Sequence, residues 1–268
     1  MGSFVKTFLA QQWQKRPQQI YHVTVMPCFD KKLEATRPDF VTVDEMEEVR
    51  DVDLVLSTSE VDQLLQDQHW QWQEFVDRPD RDFDTPWSIP TVTETVRWRG
   101  SSSGGYIHHL MHYLDPTLVE EQPTALFKPL KRSTDFSIAT NGAFQFATVY
   151  GFRNIQNLVR KLKQPGQAVE YAAVEVMACP SGCVNGGGQI KLGETPEWGV
   201  GAASAVAQVE ATYQRNPRNQ FSDAQLALAQ SLLTQWGNQL GTARLAKMLN
   251  TSFTAVSSHV ATTLQVQW

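Results

Sequence analysis

Two of the chain's three cysteines are separated by only three residues and directly follow an apolar run, and this segment restricts the possible folds most strongly. Residues 172–177 have strand character, and the run breaks at Pro180 and Gly182. Such a pattern predicts a strand that ends at the cysteines. In α/β proteins, ligand-binding groups collect at the carboxyl ends of strands. We therefore expect an α/β fold with Cys179 and Cys183 at one edge of a sheet.

Three consecutive glycines follow these cysteines. Glycine has no side chain, so the backbone can approach an inorganic group closely and direct its N–H groups at anionic sulfur. We predict that Gly186, Gly187 and Gly188 line the binding site of a metal cluster.

The third cysteine also follows a strand-like segment. Residues 20–26 are rich in β-branched and aromatic side chains and stop at Pro27, next to Cys28. Residues 30–35 resemble the first turns of a helix, which would direct N–H groups and the Lys31 ammonium towards whatever Cys28 binds. An ordinary surface lysine is the alternative interpretation of Lys31.

Composition excludes several functional classes. The formal net charge is −5 and basic residues are not concentrated in one segment, which argues against nucleic-acid binding. No apolar stretch approaches membrane-spanning length, so we expect a soluble, intracellular protein. Three cysteines do not make a disulfide framework, and thiols in a reducing compartment are typical of metal binding or catalysis.

Further elements follow from local signals. The spacing of Ser57 and Glu60 predicts a capped helix, and Asn141-Gly142 predicts a hairpin between two strands. A tryptophan-rich segment over residues 69–100 has no periodicity and suggests a long loop. Helices are expected over residues 3–15, 152–163, 198–213, 221–236 and 243–249.

Three thiolates from two strand ends are consistent with iron–sulfur ligation, although a complete site needs four ligands. A zinc site is the main alternative, but structural zinc sites usually combine two closely spaced ligand pairs, and here only Cys179 and Cys183 are close in sequence. Cys28 as a nucleophile activated by His22 is a weaker alternative, because no third residue to orient the histidine is evident. Buried structural thiols without any metal remain a further interpretation.

A histidine pair adds one more alternative. His108 and His112 share a helical face and together can bind a metal ion. We favour a solvated surface, because no supporting carboxylate lies nearby in the sequence.

The segments around the cysteines, residues 25–35 and 175–189, resemble the second and third cysteine signatures of the iron-only hydrogenase large-subunit family. Residues 28–40, residues 150–157 and the terminal Trp268 are most similar to the cytosolic hydrogenase-like branch of this family in eukaryotes. The resemblance covers nearly the whole chain and is poorest over residues 69–100.

The resemblance implies a two-lobed α/β fold, with small, mostly parallel sheets flanked by helices and a 4Fe-4S cluster in the cleft. Cys28, Cys179 and Cys183 would be three of its ligands. It further implies a role in cytosolic and nuclear iron–sulfur protein assembly, in which the cluster passes to a targeting complex that contains a WD-repeat protein. Trp268 would be recognised by that complex.

The chain also departs from the family pattern. The first cysteine signature is absent, so the fourth ligand is missing and we expect an N-terminally truncated hydrogenase-like domain over residues 1–268, with a tail over 251–268. Either the chain is a fragment or an alternative start, or water, a small thiol or a partner's residue completes the site. The family also suggests hydrogenase activity, with Cys183 bridging to a two-iron subsite, Lys31 contacting that subsite and Glu34 relaying protons. We consider this alternative weaker, together with a metal-free interaction module.

Overall fold

The computed structural model of the protein describes residues 1–44, 46–71, 100–115, 126–130, 133–164, 171–190, 202–215 and 223–250. Its strands are β1 (Val23–Met26), β2 (Val41–Asp44), β3 (Glu47–Arg50), β4 (Leu54–Ser57), β5 (Lys128–Leu130), β6 (Ser133–Asn141), β7 (Phe144–Tyr150) and β8 (Tyr171–Met177). Helix α1 is π-helical over Phe4–Leu9 and α-helical over Ala10–Gln12. The other helices are α2 (Asp30–Ala35), α3 (Thr58–Asp67), α4 (Tyr106–Leu114), α5 (Phe152–Leu162), α6 (Ala202–Arg215), α7 (Asp223–Leu240) and α8 (Thr242–Leu249).

The first group of elements is built on β1 and β4, which pair in parallel. Helix α2 and the antiparallel pair β2–β3 lie between them in the chain. Strand β1 is shorter than predicted, because the backbone joins the ladder only at Val23. The β2–β3 pair was not predicted, since β3 (Glu47–Arg50) is mostly charged and shows no apolar alternation.

Helix α3 confirms the predicted capping box. The Ser57 hydroxyl accepts the Glu60 N–H at 3.3 Å, and the Glu60 carboxylate accepts the Ser57 N–H at 2.7 Å. These two hydrogen bonds satisfy backbone donors that a helix start otherwise leaves without partners. They determine where β4 ends and α3 begins.

The second group of elements surrounds a sheet of four strands in the order β5-β6-β7-β8 among the described residues. The α/β class is confirmed, but this sheet is mixed rather than mostly parallel. β5–β6 and β6–β7 are antiparallel, and only β7–β8 is parallel. The predicted Asn141-Gly142 turn accounts for the antiparallel β6–β7 pair, since a short hairpin can join only antiparallel strands.

Helices cover both faces of this sheet. On one face, Ile107 and Met111 of α4 pack on Ala139 and Phe146. On the other face, Leu158 of α5 packs in a second cluster together with Phe136, Ala147 and Val149. Successive side chains of a strand point to opposite faces of the sheet, so Phe146 of β7 packs in the first cluster and Ala147 and Val149 pack in the second. Strand β8 is therefore held at the edge of a well-packed layer.

The C-terminal helices return to the start of the chain. The indole of Trp236 on α7 is 4% exposed, stacks edge-on against Phe4 and donates a 2.8 Å hydrogen bond to the Thr7 hydroxyl. None of the helices in the described part of the chain is long and apolar enough to cross a bilayer. Two predictions concern residues outside the described ranges: the greater part of the tryptophan-rich segment and the tail over 251–268 with Trp268.

Candidate metal centre

Cys28 lies immediately beyond the carboxyl end of β1. Pro27 ends the strand, and α2 begins at Asp30, so the cysteine occupies the turn between them. The Pro27 carbonyl accepts the Gly188 N–H at 3.0 Å. This bond joins the Cys28 turn to the segment that carries the other two cysteines.

Cys179 and Cys183 lie on a tight turn after β8. The Gly182 N–H donates to the Cys179 carbonyl at 3.1 Å, and the Gly186 N–H donates to the Cys183 carbonyl at 3.0 Å. Gly182 has φ 84° and ψ −165°, a backbone region that is essentially restricted to glycine. The Cys183 thiol donates a weak hydrogen bond to the Met177 sulfur at 3.7 Å. The turn thus directs the Cys183 side chain back along β8.

All three thiols are free and partly buried. Cys28 and Cys179 lie within hydrogen-bonding reach of each other, and Cys183 is close enough to both for their charges to interact. Residues separated by about 150 positions in the sequence therefore meet at the ends of two different sheets.

Burial raises the pKa of the Cys179 thiol, whereas a hydrogen bond from the Gly187 N–H opposes this increase. Burial also raises the pKa of Cys183, the neighbouring Cys28 and Cys179 raise it further, and Lys31 lowers it. Thiolates at these positions are disfavoured without a cation between them.

Lys31 lies close to the thiols but has its own anionic partner. Its ammonium pairs with the Glu34 carboxylate at 2.9 Å on the exposed face of α2. That hydrogen bond is the main reason for the raised pKa of Lys31, against the opposing effect of burial. Lys31 therefore adds positive charge beside the thiols, while Glu34 compensates part of it.

The three consecutive glycines have different environments. Gly186 and Gly188 are buried, and a side chain on either one would overlap its neighbours. A Cβ on Gly186 would collide with the Pro27 carbonyl oxygen, and one on Gly188 would lie 2.7 Å from the Ser57 Cβ. Gly187 alone is exposed, and its N–H faces Cys179. Two of the glycines thus permit close packing of the two groups of elements, which the sequence did not reveal.

A buried carboxylate near the thiols was also missed. Glu175 on β8 is 5% exposed and accepts the Gly105 and Ile107 N–H groups at the start of α4, at 3.4 and 3.1 Å. The Tyr150 hydroxyl donates to it at 2.9 Å. Burial, followed by the Glu175 charge, strongly raises the pKa of Tyr150. An acidic residue in the middle of an apolar strand is the sequence signal that could have revealed this role.

The other candidate residues do not join the thiols. The His22 ring contacts the Asp51 carbonyl oxygen at 2.7 Å, and the His108 ring packs on Phe127 with centroids 4.8 Å apart. Across the described ranges, no three His, Cys, Asp or Glu side chains are arranged to hold one metal ion. A single zinc ion needs all its ligands about 2.0–2.3 Å from one point, whereas a cluster distributes its thiolates over several irons.

A cavity of about 830 Å³ adjoins the site without including the thiols. Met26, Lys31, Glu34, Val55 and Arg244 are among the residues that line it, and none of the three cysteines is. Lys31 thus lines the cavity and also lies near the thiols, although the thiols themselves do not line the cavity.

Comparison with known proteins identifies relatives over the full chain. A family profile described as "Iron only hydrogenase large subunit, C-terminal domain" matches residues 1–187. The chain is 39% identical to "Cytosolic Fe-S cluster assembly factor narfl" of Danio rerio, with all of this chain and 63% of that protein aligned. It is 38% identical to "Cytosolic iron-sulfur assembly component 3" of Bos taurus, and it covers 54% of that protein's length. The chain therefore spans between half and two thirds of these curated relatives.

Solved structures of FeFe-hydrogenases share the fold. One superposes with a TM-score of 0.65 at 19% identity, over 90% of this chain and 64% of the hydrogenase. An apo FeFe-hydrogenase variant from Chlamydomonas reinhardtii superposes with a TM-score of 0.59 at 20% identity, over 80% of this chain and 57% of the hydrogenase chain. At these identities the likeness concerns the fold alone.

Proposed function

The chain belongs to the family of the iron-only hydrogenase large subunit, C-terminal domain, and we propose that it carries a 4Fe-4S cluster in cytosolic iron–sulfur protein assembly. Cys28, Cys179 and Cys183 would bind three of the irons. The observation that supports this most strongly is the convergence of all three thiols from the ends of two separate sheets.

The residues around the thiols suit an anionic, iron-containing group. A cluster supplies the positive iron centres that the partly buried thiols need in order to ionise. The Gly187 N–H donates a hydrogen bond to Cys179 and the positive charge of Lys31 lies near Cys183, and both favour negative charge on the thiols. Gly186 and Gly188 keep the two ligand-bearing turns in contact through the Pro27 carbonyl.

The fourth iron would take its ligand from outside these cysteines, because the chain contains three. Water, a small thiol or a side chain of a partner protein can occupy that position.

The names of the relatives support the same role, because they describe cytosolic assembly factors rather than hydrogenases. We propose that the chain acts in the cytoplasm and the nucleus and passes its cluster to a targeting complex that contains a WD-repeat protein. Trp268 would be the residue that this complex recognises. The chain would act without catalysing a reaction of its own.

Anaerobic reconstitution with iron and sulfide tests cluster binding. We expect visible absorption from a cluster and about four irons and four sulfides per chain. Separate Cys28→Ser, Cys179→Ser and Cys183→Ser variants should each lose most of the iron while the apo proteins retain their circular dichroism. Absence of a cluster in the parent chain, or iron content unaffected by all three substitutions, would contradict the proposal.

Two further assays separate the parts of the proposal. Hydrogen evolution from a reduced dye should stay at background, and sustained evolution by the loaded chain would instead support a hydrogenase. Removal of Trp268 should abolish capture of the purified WD-repeat targeting complex, whereas Gln267→Ala should leave it intact. Equal capture by both variants would refute the role of the terminal tryptophan without affecting the cluster.

A further inference from the structure

A loop over residues 100–105 lies directly against the Cys183 turn. Its central residue, Ser103, is 3% exposed, and its hydroxyl accepts the Val184 N–H at 3.1 Å. On the other side of the cysteine, a Cβ on Gly182 would lie 2.7 Å from both the Cβ and the hydroxyl of Ser103. Ser103 therefore contacts the backbone both immediately before and immediately after Cys183.

The hydrogen bond to Val184 satisfies a backbone donor that the turn itself leaves without a partner. Cys183–Asn185 form a single 3₁₀ turn whose internal bond runs from the Asn185 N–H to the Gly182 carbonyl. The first N–H groups of such a turn have no acceptor within it. The Ser103 hydroxyl supplies that acceptor from a segment 81 residues away.

The loop is attached at its C-terminal end by the buried carboxylate of Glu175. Glu175 accepts the Gly105 and Ile107 N–H groups and the Tyr150 hydroxyl. Gly104 has φ +67°, and a Cβ there would collide with the same carboxylate. This end of the loop is thus fixed to β8, the strand that leads to the cysteines.

The N-terminal end of the loop is attached to α6. The Glu210 carboxylate accepts the Ser102 N–H at 3.1–3.2 Å, and the Gln214 amide donates to the Gly100 carbonyl at 2.9 Å. Gln214 also donates to Glu210 at 2.8 Å. Helix α6 lies beyond the residues that the family profile matches. The loop therefore connects this later helix to the thiol site.

We propose that Ser103 is a positioning residue for Cys183 and that Glu210 holds the Ser103 loop in place. The contacts on both sides of Cys183 restrict the backbone from which its thiol projects. Helix α6 thereby affects the orientation and accessibility of the Cys183 thiol. The consequence for a bound cluster rests on the proposed function, but the positioning of the thiol does not.

Alkylation of the cluster-free, reduced chain tests the positioning directly. Each thiol's rate of reaction with iodoacetamide is followed by mass spectrometry. Ser103→Ala should accelerate alkylation of Cys183 about three- to tenfold, because loss of one hydrogen bond typically shifts a local opening equilibrium by that factor. Cys28 should react at its original rate. Ser103→Thr keeps the hydroxyl and should restore the rate at Cys183.

Two other variants serve as the matched control and the second arm. Ser102→Ala removes a hydroxyl from the same loop that has no hydrogen-bond partner among the described residues and should have little effect on the alkylation of Cys183. Glu210→Ala should also accelerate the alkylation of Cys183. This variant keeps the test decisive if Ser103→Ala does not fold. Unchanged rates at Cys183 in both variants, or equal acceleration of all three thiols, would overturn the proposal.

Reconstituted protein gives the second measurement. Ser103→Ala should change the visible circular dichroism of the bound cluster, whereas Ser102→Ala should not. If the parent chain binds no cluster, the proposed function fails while the alkylation result still decides the role of Ser103. If a cluster binds and neither the alkylation rates nor the spectrum changes, Ser103 is not a positioning residue.

Discussion

The two strands that deliver the cysteines differ in the support behind them. Strand β8 lies beside β7, whose Phe146 and Val149 are at most 1% exposed. Strand β1 pairs only with β4 among the described residues, and its Val23 and Val25 are 42% and 55% exposed. Parallel strands are normally buried on both faces, and a sheet of two strands is marginally stable by itself.

This difference indicates how each cysteine is held. Cys179 and Cys183 rely on the packed core beneath β8. Cys28 relies largely on contacts with the opposite turn, chiefly the Gly188 N–H to Pro27 bond and the bond from the Ser59 N–H to the Gly188 carbonyl at 2.9 Å. The site is therefore supported by a packed core on one side and by contacts of the glycines on the other.

The largest expected effect comes from truncation of the β7 core. Phe146→Ala should lower the free energy of unfolding by about 3–5 kcal/mol, because it leaves a cavity between α4 and the sheet. Val25→Ala on β1 should change it by less than about 0.5 kcal/mol, because the side chain is already exposed. Urea unfolding followed by circular dichroism measures both. Similar losses for the two variants would remove the contrast between the strands.

An intermediate effect is expected at the glycines that join the two sides. Gly188→Ala should destabilise the protein by about 1–3 kcal/mol, because the added methyl group overlaps Ser57. It should also accelerate alkylation of Cys28 more than that of Cys183. The control is Gly187→Ala, since its Cβ meets nothing closer than the Phe29 ring at 3.6 Å. If the two variants were equally stable and equally reactive, Cys28 would not depend on this contact.

The smallest effect concerns the pH dependence of the capping box behind Gly188. Hydrogen bonds from Lys32 and Ser57 lower the pKa of Glu60 to about 2. A carboxylate with a lowered pKa stabilises the fold fully above its ordinary value of 4.5, and this contribution is lost as the pH falls towards 2. Glu60→Gln should therefore have a slightly lower melting temperature at pH 7, and the difference from the parent chain should shrink below pH 4.5. A difference that stayed constant with pH would contradict this assignment.

Local signals predicted much of the fold. The Ser57–Glu60 capping box, the Asn141-Gly142 hairpin and the strand before Cys179 each depend on interactions between residues close in sequence, and the structure contains all three. The pairing of β1 with β4 and the mixed order of the larger sheet depend on distant residues, so spacing and periodicity did not determine them.

The candidate site shows the same limit. The sequence placed each cysteine at the end of a strand, and the resemblance to a known family suggested that the cysteines converge. The sequence did not distinguish Gly187, whose N–H faces Cys179, from Gly186 and Gly188, which permit close packing. The sequence also did not predict the contacts of Ser103 with the Cys183 turn, because the two segments are about 80 residues apart.

Thiol cross-linking of the cluster-free chain tests most directly whether residues from both sheets form one site. Under native, reducing conditions, a short reagent such as dibromobimane should join Cys28 to Cys179 or Cys183 within one molecule, and peptide mass spectrometry identifies the linked pair. In urea this linkage should disappear, and the Cys179–Cys183 pair alone should react. If native protein also yielded only the Cys179–Cys183 product, Cys28 would lie away from the other thiols and the three-thiol site would be wrong.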